Sequence, residues 1–479
     1  MLASELIGKN WNSDIEDFEI TGIAYDSRNV LPGNVFVCIK GFETDGHKYA
    51  ASAVENGAAL IIAEDKINVN VPVIYVKDSR KTIAQMAAQF YGNPSEKFRL
   101  VGVTGTNGKT TITYLLKSIL DEAGKRVGVI GTNQNIIGDK VLITQSTTPT
   151  TPNALELQQL FAEMAQSEAE YVVMEVSSHA LELDRVYGCR FDVGIFTNLT
   201  QDHLDFHKTM ENYYKAKAKL FTMCKKGVVN SDDEYGMRIA NEASCEIIKA
   251  GLEDGCDLKA ENIKITSRGT DFDMIYKGEK YPVNLRIPGK FSVYNAICAA
   301  GAAIELGIDI ATIQKGLAAA AGVLGRVEVV PTDTDYTVII DYAHTPDGLE
   351  NIINCVQGFA QGRVITVFGC GGDRDSTKRP IMGEIAGRLS DFSIITSDNP
   401  RTENPQKIVD QIEDGMKKTD GKYICITDRR EAIGYALDNA KAGDVIILAG
   451  KGQETYQIIG KEKFDFDERV EVYSHLRGK

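Results

Sequence analysis

Proline is scarce in this chain, at 12 of 479 residues, and no stretch repeats or falls into low complexity. A repeat array is thereby excluded, and the 43% hydrophobic and 25% charged residues describe an ordinary globular protein. No C-x-x-C pair occurs among the nine cysteines, which are scattered from Cys38 to Cys425. That spacing argues against a disulfide framework or a zinc ribbon and fits reduced thiols in the cytosol. No segment reaches the roughly 20 apolar residues of a membrane span, and the opening MLASELIGKNWNSD has neither the basic n-region nor the apolar run of a signal peptide. A cytoplasmic protein that engages no membrane is expected. Surplus positive charge is also missing: 53 Lys and Arg against 67 Asp and Glu leave −14, which opposes binding to nucleic acid. An anionic substrate must therefore be held by local basic groups and backbone amides.

What is present is enough chain for three domains of roughly 100–200 residues each. Short β-rich runs at Asn34–Ile39, Leu60–Ala63 and Val73–Val76 precede a helix pattern from Asp78 that stops at Gly92, and Asn93-Pro94-Ser95 breaks the chain. The pattern then becomes strand (Leu100–Val103), glycine loop, helix (Thr111–Ala123), strand (Val127–Ile130), which implies a parallel sheet covered by helices. Buried strands are expected at Tyr171–Val176 and Val193–Thr197, and an Ala-rich helix at Ala296–Leu306. A second alternating series follows Gly325-Arg326, with strands at Thr337–Ala343, Val364–Phe368, Ser393–Thr396, Tyr423–Ile426 and Val445–Leu448. The expected boundaries are 1–98, 99–330 and 331–479, all α/β: a small N-terminal domain, a central P-loop-type domain with a mostly parallel sheet, and a Rossmann-like C-terminal domain.

The loop Gly105-Thr106-Asn107-Gly108-Lys109-Thr110 joins a strand to a helix, so it offers unpaired N–H groups, a positive dipole end and the Lys109 ammonium to the phosphates of ATP. It departs from G-x-x-x-x-G-K-[ST], whose first glycine would fall at Val103. Thr110 offers a hydroxyl to Mg²⁺, and Glu175, at the end of a core strand, offers a carboxylate or else faces water. His203 and His207 stand at i, i+4 as zinc ligands would, without the glutamate of H-E-x-x-H. Around Lys217, helical geometry places Lys215 and Lys219 on one face and Lys217 across it, near Tyr213, Tyr214, Leu220 and Phe221. A lysine on the apolar side implies a depressed pKa or a modification, with snorkelling to solvent the alternative. In the last third, GCGGDRD (369–375) and SDNPR (397–401) end strands and are placed to line one crevice, where Arg379 and Arg401 suit a carboxylate.

These segments together resemble the Mur ligase family. The resemblance rests on TGTNGKTT (104–111), MEVSSHAL (174–181), FTNLTQDHLDFH (196–207), PGKFSVYNAICAA (288–300), LGRVE (324–328), DYAHTPD (341–347), GCGGDRD, SDNPR and AGKGQE (449–454), in family order. YDSRNVLPGNVFVCIKG (25–41) is similar to the UDP-sugar-binding domain of the third-amino-acid ligases, and DNPR to the signature of those adding meso-diaminopimelate.

The resemblance implies an ATP-dependent amide-bond-forming ligase of peptidoglycan precursor synthesis, acting as a monomer with Mg²⁺ on UDP-N-acetylmuramoyl-L-Ala-D-Glu and meso-2,6-diaminopimelate. L-lysine as the added amino acid, and a P-loop nucleotide switch, are the alternatives. By resemblance, Lys109, Lys217, His203 and Glu175 serve catalysis, with Thr110, Glu175, His203 and a carbamylated Lys217 around the metal. The loop through Thr111, with Asn295, Arg326, Asp341 and His344, would bind ATP. Ser27, Thr147, Thr148, Ser177 and Arg185 would bind the UDP-sugar dipeptide, although Leu183 stands where some relatives have glutamine. Arg379, Asp398, Asn399, Arg401, Gly450 and Glu454 would bind the incoming amino acid. Domain closure is expected to join the ATP loop to the C-terminal crevice.

Overall fold

The computed structural model describes residues 1–478 apart from 12–13, 42–43, 144–147, 149, 267–268 and 321. The chain packs as two units, Met1–Asp257 with Cys298–Ile313, and Leu258–Ile297 with Gln314–Lys479.

The first unit opens with a four-stranded parallel sheet in the order β1 (Gly22–Ala24), β2 (Asn34–Val37), β3 (Leu60–Ala63), β4 (Val73–Tyr75). The expected helix spans Ser79–Phe90, capped by the Asp78 side chain, which accepts from the Lys81 N–H. Ile83 and Met86 on its inner face pack with Val35, Leu60 and Ile62 of the sheet.

Beyond it lie β5 (Arg99–Thr104), β6 (Val127–Ile130), β7 (Asn135–Ile137), β8 (Lys140–Leu142), β9 (Tyr171–Glu175), β10 (Phe191–Phe196), β11 (Cys224–Asn230) and β12 (Glu246–Gly251). Their order in space is β12-β11-β10-β5-β9-β6-β7-β8. β5 is parallel to both β9 and β10, so Thr104, Glu175 and Phe196 end neighbouring strands on the same sheet edge. Helices cover both faces, which is why β9 and β10 are buried throughout and read as unbroken apolar runs. The sequence pattern overlooked the β7–β8 hairpin, β11 and β12, whose lysines, glycines and polar residues dilute the apolar signal.

The second unit carries an antiparallel β13 (Leu258–Thr266), β14 (Gly269–Tyr276), β15 (Glu279–Leu285) meander, which alternates buried with exposed positions and was not anticipated. Its main sheet is six-stranded, ordered β16 (Glu328–Val330), β17 (Thr337–Asp341), β21 (Val445–Ala449), β18 (Val364–Phe368), β19 (Phe392–Ile395), β20 (Tyr423–Cys425). All its pairs are parallel except β16 with β17. Separate apolar layers cover the two faces, one around Leu349, Ile353, Met382 and Ile412, the other around Ile433, Leu437 and Val472. A β22 (Tyr456–Ile459), β23 (Glu462–Asp465) hairpin follows. The Ala-rich helix runs Lys290–Glu305, starting earlier than its alanines indicated. No described helix is long and apolar enough to cross a membrane.

Candidate active site

The glycine loop leaves β5 at Gly105, whose φ of 147° lies where side chains rarely go. A Cβ there would stand 1.8 Å from Thr197 Oγ1, so glycine is required by the close approach of the β10 end. Thr197 Oγ1 donates to Asn107 O at 2.5 Å, Thr106 N–H donates to Asn198 O at 2.9 Å, and Asn107 N–H to Asn198 Oδ1 at 2.9 Å. The loop is thus shaped by the strand beside it. The helix begins at Lys109, two residues before the expected Thr111, with Gly108 at φ 87° as its cap.

Two lysine amines meet at one loop carbonyl. Lys109 Nζ donates to Gly105 O at 2.9 Å and to Thr106 O at 2.8 Å, and Lys217 Nζ donates to the same Gly105 O at 2.7 Å. Lys217 is 1% exposed, under the Tyr213 ring with Nζ 4.6 Å from its centroid, whereas Lys215 and Lys219 keep roughly half their side chains in water. Snorkelling is excluded. Burial, reinforced by the nearby Lys109 charge, holds the Lys217 amine well below the ordinary lysine range.

Glu175 does not face water: it is 1% exposed and accepts from Thr110 Oγ1 at 2.9 Å, from Thr132 N–H at 2.8 Å and, through its other oxygen, from Thr132 Oγ1 at 3.1 Å. A hydroxyl on the first helical turn and a buried carboxylate on the adjacent strand form an oxygen donor set of the kind hard Mg²⁺ takes.

The two histidines part company. His203 caps the short Leu204–His207 helix at φ 51° and lies 3.3 Å from Asp202, while His207 is buried, stacks on Tyr213 and shares a 2.9 Å hydrogen bond with Ser178 Oγ. Zinc at i, i+4 is set aside, because His207 Nε2 is already committed to Ser178. The one His-carboxylate cluster compact enough for an ion among the described residues is Asp45, His47 and Asp65. There His47 Nε2 already accepts the Glu64 and Asp65 N–H groups and Nδ1 meets Asp45 at 2.6 Å, leaving no lone pair for a metal.

A cavity of about 550 Å³ is lined by Ser27, Leu183 and Arg185, among others. Arg185 donates to Thr151 O at 3.0 Å, Thr148 Oγ1 does the same at 3.0 Å, and Ser177 N–H donates to Thr151 Oγ1 at 3.0 Å. Thr147 lies outside the described residues.

In the second unit, buried Asp341 accepts from the N–H groups of Val327 and Ala343, each at 2.8 Å, and burial raises its pKa. Val327 is held at φ 45°, a strained conformation for a β-branched residue. Arg326 lies over the Tyr342 ring, and the exposed His344 bonds Tyr342 O through Nδ1 at 2.8 Å. Asn295 is buried in its helix.

At the ends of β18, β19 and β21, Arg401 takes φ 50° and donates Nη1–H to Gly372 O at 2.8 Å, with no other side-chain bond among the described residues. Asn399 donates to Glu454 at 2.8 Å. Lys451, wholly buried, reaches Asp398 at 3.4 Å, Asn399 at 3.2 Å and Glu454 at 3.2 Å, so one internal ammonium ties together three residues expected to bind ligand. Gly450, at φ 117°, keeps the backbone close to Asp398. Arg379, expected to bind the amino acid, is 1% exposed, and its two terminal nitrogens are taken up by Glu403 at 2.9 and 2.8 Å, Gln411 at 2.6 Å and Gly371 O at 3.1 Å. It braces the crevice rather than facing it.

The Mur ligase middle domain matches residues 103–303, the family's glutamate ligase domain 325–452 and its catalytic domain 19–91. The chain is 52% identical over 463 residues to UDP-N-acetylmuramoyl-L-alanyl-D-glutamate–2,6-diaminopimelate ligase 1 of Clostridium acetobutylicum, covering 96% of this chain and 95% of that one. It belongs to the Mur ligase family. The ligase so named from Clostridium botulinum is 50% identical, covering 96% and 95% of the two chains. Among solved structures, a UDP-N-acetylmuramoyl-L-alanyl-D-glutamate–2,6-diaminopimelate ligase superposes with a TM-score of 0.72 at 33% identity, covering 96% and 95%. The MurF ligase of Thermotoga maritima in complex with ADP, at 22% identity, TM-score 0.61 and 90% and 94% coverage, shares the fold.

Within this Mur ligase, reading by motif passed over Thr132, Lys451 and Arg374. Lys451 was visible inside AGKGQE but is not recognisable as a buried cation without its three partners. Arg374 is exposed, stands beside Gly371 with Arg401, and has no ion pair among the described residues. Position in the loop, rather than in the first turn of the helix, distinguishes it from Arg379.

Proposed function

We propose that this chain joins meso-2,6-diaminopimelate to UDP-N-acetylmuramoyl-L-alanyl-D-glutamate at the expense of ATP. The γ-carboxylate of the D-glutamyl end attacks the terminal phosphorus of ATP, ADP leaves, and an acyl phosphate remains. The diaminopimelate amine then attacks the acyl carbon, the new C–N bond forms, and phosphate departs as the amine loses its proton. The observation that carries this reading is the meeting of Lys109 and Lys217 at Gly105 O beside the Thr110–Glu175 pair.

An attack of one anion on another needs its charge offset, and the loop N–H groups with Lys109 supply part of that. Mg²⁺, when bound to Thr110, Glu175 and His203, would supply the rest by neutralising phosphoryl oxygens. The depressed amine of Lys217 supports a further role. An unprotonated amine adds to carbon dioxide, releases one proton and becomes a carbamate, an oxygen ligand where the free lysine has none. Asn295, Arg326, Asp341 and His344 keep the ATP roles that family resemblance implies, and Ser27, Thr148, Ser177 and Arg185 the nucleotide-sugar roles.

For the amino acid, Arg401 presents open N–H donors to a carboxylate, with Arg374 beside it, and Glu454 accepts an ammonium. Diaminopimelate has that second carboxylate and lysine lacks it. Phosphate release from ATP in the presence of UDP-N-acetylmuramoyl-L-Ala-D-Glu tests the reading. Release is expected with meso-diaminopimelate and little with L-lysine; release with neither would sink the proposal, and equal release would remove Arg401 from specificity.

A further inference from the structure

Charge in the 550 Å³ cavity is unbalanced, with Arg28, Arg80 and Arg185 in its described lining against the carboxylate of Asp26. Tyr25, Ser27, Arg80, Asn153, Leu183 and Arg185 are among its walls. Arg80 sits on the first turn of the Ser79–Phe90 helix and makes one described hydrogen bond, Nη2–H to Lys40 O at 2.8 Å. Arg185 likewise makes one, to Thr151 O. A guanidinium has five N–H donors, so most of them on both side chains are unmatched, and neither arginine has an ion-pair partner among the described residues.

Both are half-buried. Burial works against each charge, and the field of Arg80 adds to the burden on Arg185. Asp78, Glu64 and Asp184 attract Arg80, and Glu156 attracts Arg185, without outweighing burial at either. Asp26 is engaged by Arg28 at 2.9 and 2.6 Å, and Glu156 Oε1 accepts from Tyr25 Oη at 2.5 Å, while Asn153 donates to the same phenol at 3.0 Å. Two partly desolvated cations face one space whose lining carboxylate, Asp26, is taken by Arg28, and they lack the paired counter-charge that a ligand would bring.

We infer that Arg80 is a further binding residue of this cavity, which with Arg185 grips an anionic oxygen group of the nucleotide-sugar substrate. The inference rests on the function proposed above. Diphosphate and glutamyl carboxylate share the required chemistry, two or more oxygens that accept from a planar fork. A structural brace to Lys40 O is the competing use of Arg80, and it predicts no effect on ligand affinity.

Isothermal titration of the full chain with UDP, UDP-N-acetylmuramoyl-L-alanine and UDP-N-acetylmuramoyl-L-Ala-D-Glu separates these uses. Arg80→Gln should weaken the complete substrate about 10- to 100-fold, leave ATP affinity and Tm in place, and be partly rescued by Arg80→Lys. Equal weakening of all three ligands assigns the diphosphate; weakening confined to the glutamate-bearing ligand assigns the carboxylate. Unchanged affinity for every ligand, or a loss that follows a fall in Tm and extends to ATP, overturns the inference. Wild-type chain that binds none of the three overturns the proposed function itself, and Arg80 with it.

Discussion

Replacing Lys217 with methionine should make the protein more stable and inactive at once. The side chain is fully buried, has no ion-pair partner among the described residues, and lies in the field of Lys109. Its hydrogen bond to Gly105 O contributes about 1 kcal/mol net. Keeping an ammonium out of water costs several kcal/mol, and a methionine of similar length avoids that, so a net gain of about 1–3 kcal/mol at neutral pH is expected. In a unit of this size the gain corresponds to a rise in Tm of about 2–10 °C. The pH dependence has a definite sign. Below the depressed folded pKa both states carry the proton and the penalty is complete. Between that value and the ordinary 10.5, only the unfolded chain holds the proton, so wild-type stability climbs with pH and the advantage of the variant shrinks to nothing. Calorimetry in carbon-dioxide-free buffer at pH 7 and 9.5 reads this directly, and bicarbonate should stabilise the wild type alone. Phosphate release should fall by about 10²- to 10³-fold in the variant. A Lys217→Met protein that melts below the wild type at pH 7, or keeps a tenth of the activity, would refute the reasoning.

Gly105→Ala should abolish ATP binding, measured by titration, because its Cβ would collide with Thr197 Oγ1; an affinity within threefold of wild type would contradict the loop geometry. Glu403 is pushed down to about 2, first by the hydrogen bond from Arg379, so it supports folding above the ordinary 4.5 and loses that support as pH falls towards 2. Acid unfolding of Glu403→Gln should lack this component, and a wild-type-like acid profile would count against the pairing. Arg429 and Glu468, both 0% exposed and 2.7 Å apart, fasten two helices beneath the ends of β19 and β21 through further bonds to Ser397 O and Ala449 O. Glu468→Leu alone should cost about 3–5 kcal/mol in denaturant titration, and Arg429→Met with Glu468→Leu should recover most of it; additive losses would refute a charge-pair origin.

The sequence by itself determined the elements whose local chemistry is self-sufficient. Strands β3, β6 and β18 match their expected bounds because Leu60–Ala63 is apolar throughout and Val364–Phe368 is β-branched or aromatic at every position, with Thr366 its one hydroxyl. Lys217 was also legible, since helical geometry alone separates it from Lys215 and Lys219. The antiparallel β13–β15 meander escaped notice because one of its faces is polar and its periodicity is diluted by exposed lysines. Only tertiary structure decided the use of each charged side chain. Arg379 and Arg401 have the same fork and similar neighbours in sequence, yet Glu403 and Gln411 surround the first while the second keeps open donors. Glu175 and Lys451 are the same lesson: a carboxylate or an ammonium is structural or functional according to what non-local partners fold against it. Pairings of this kind, between residues dozens of positions apart, are set by how the strands are ordered, and no local pattern records them.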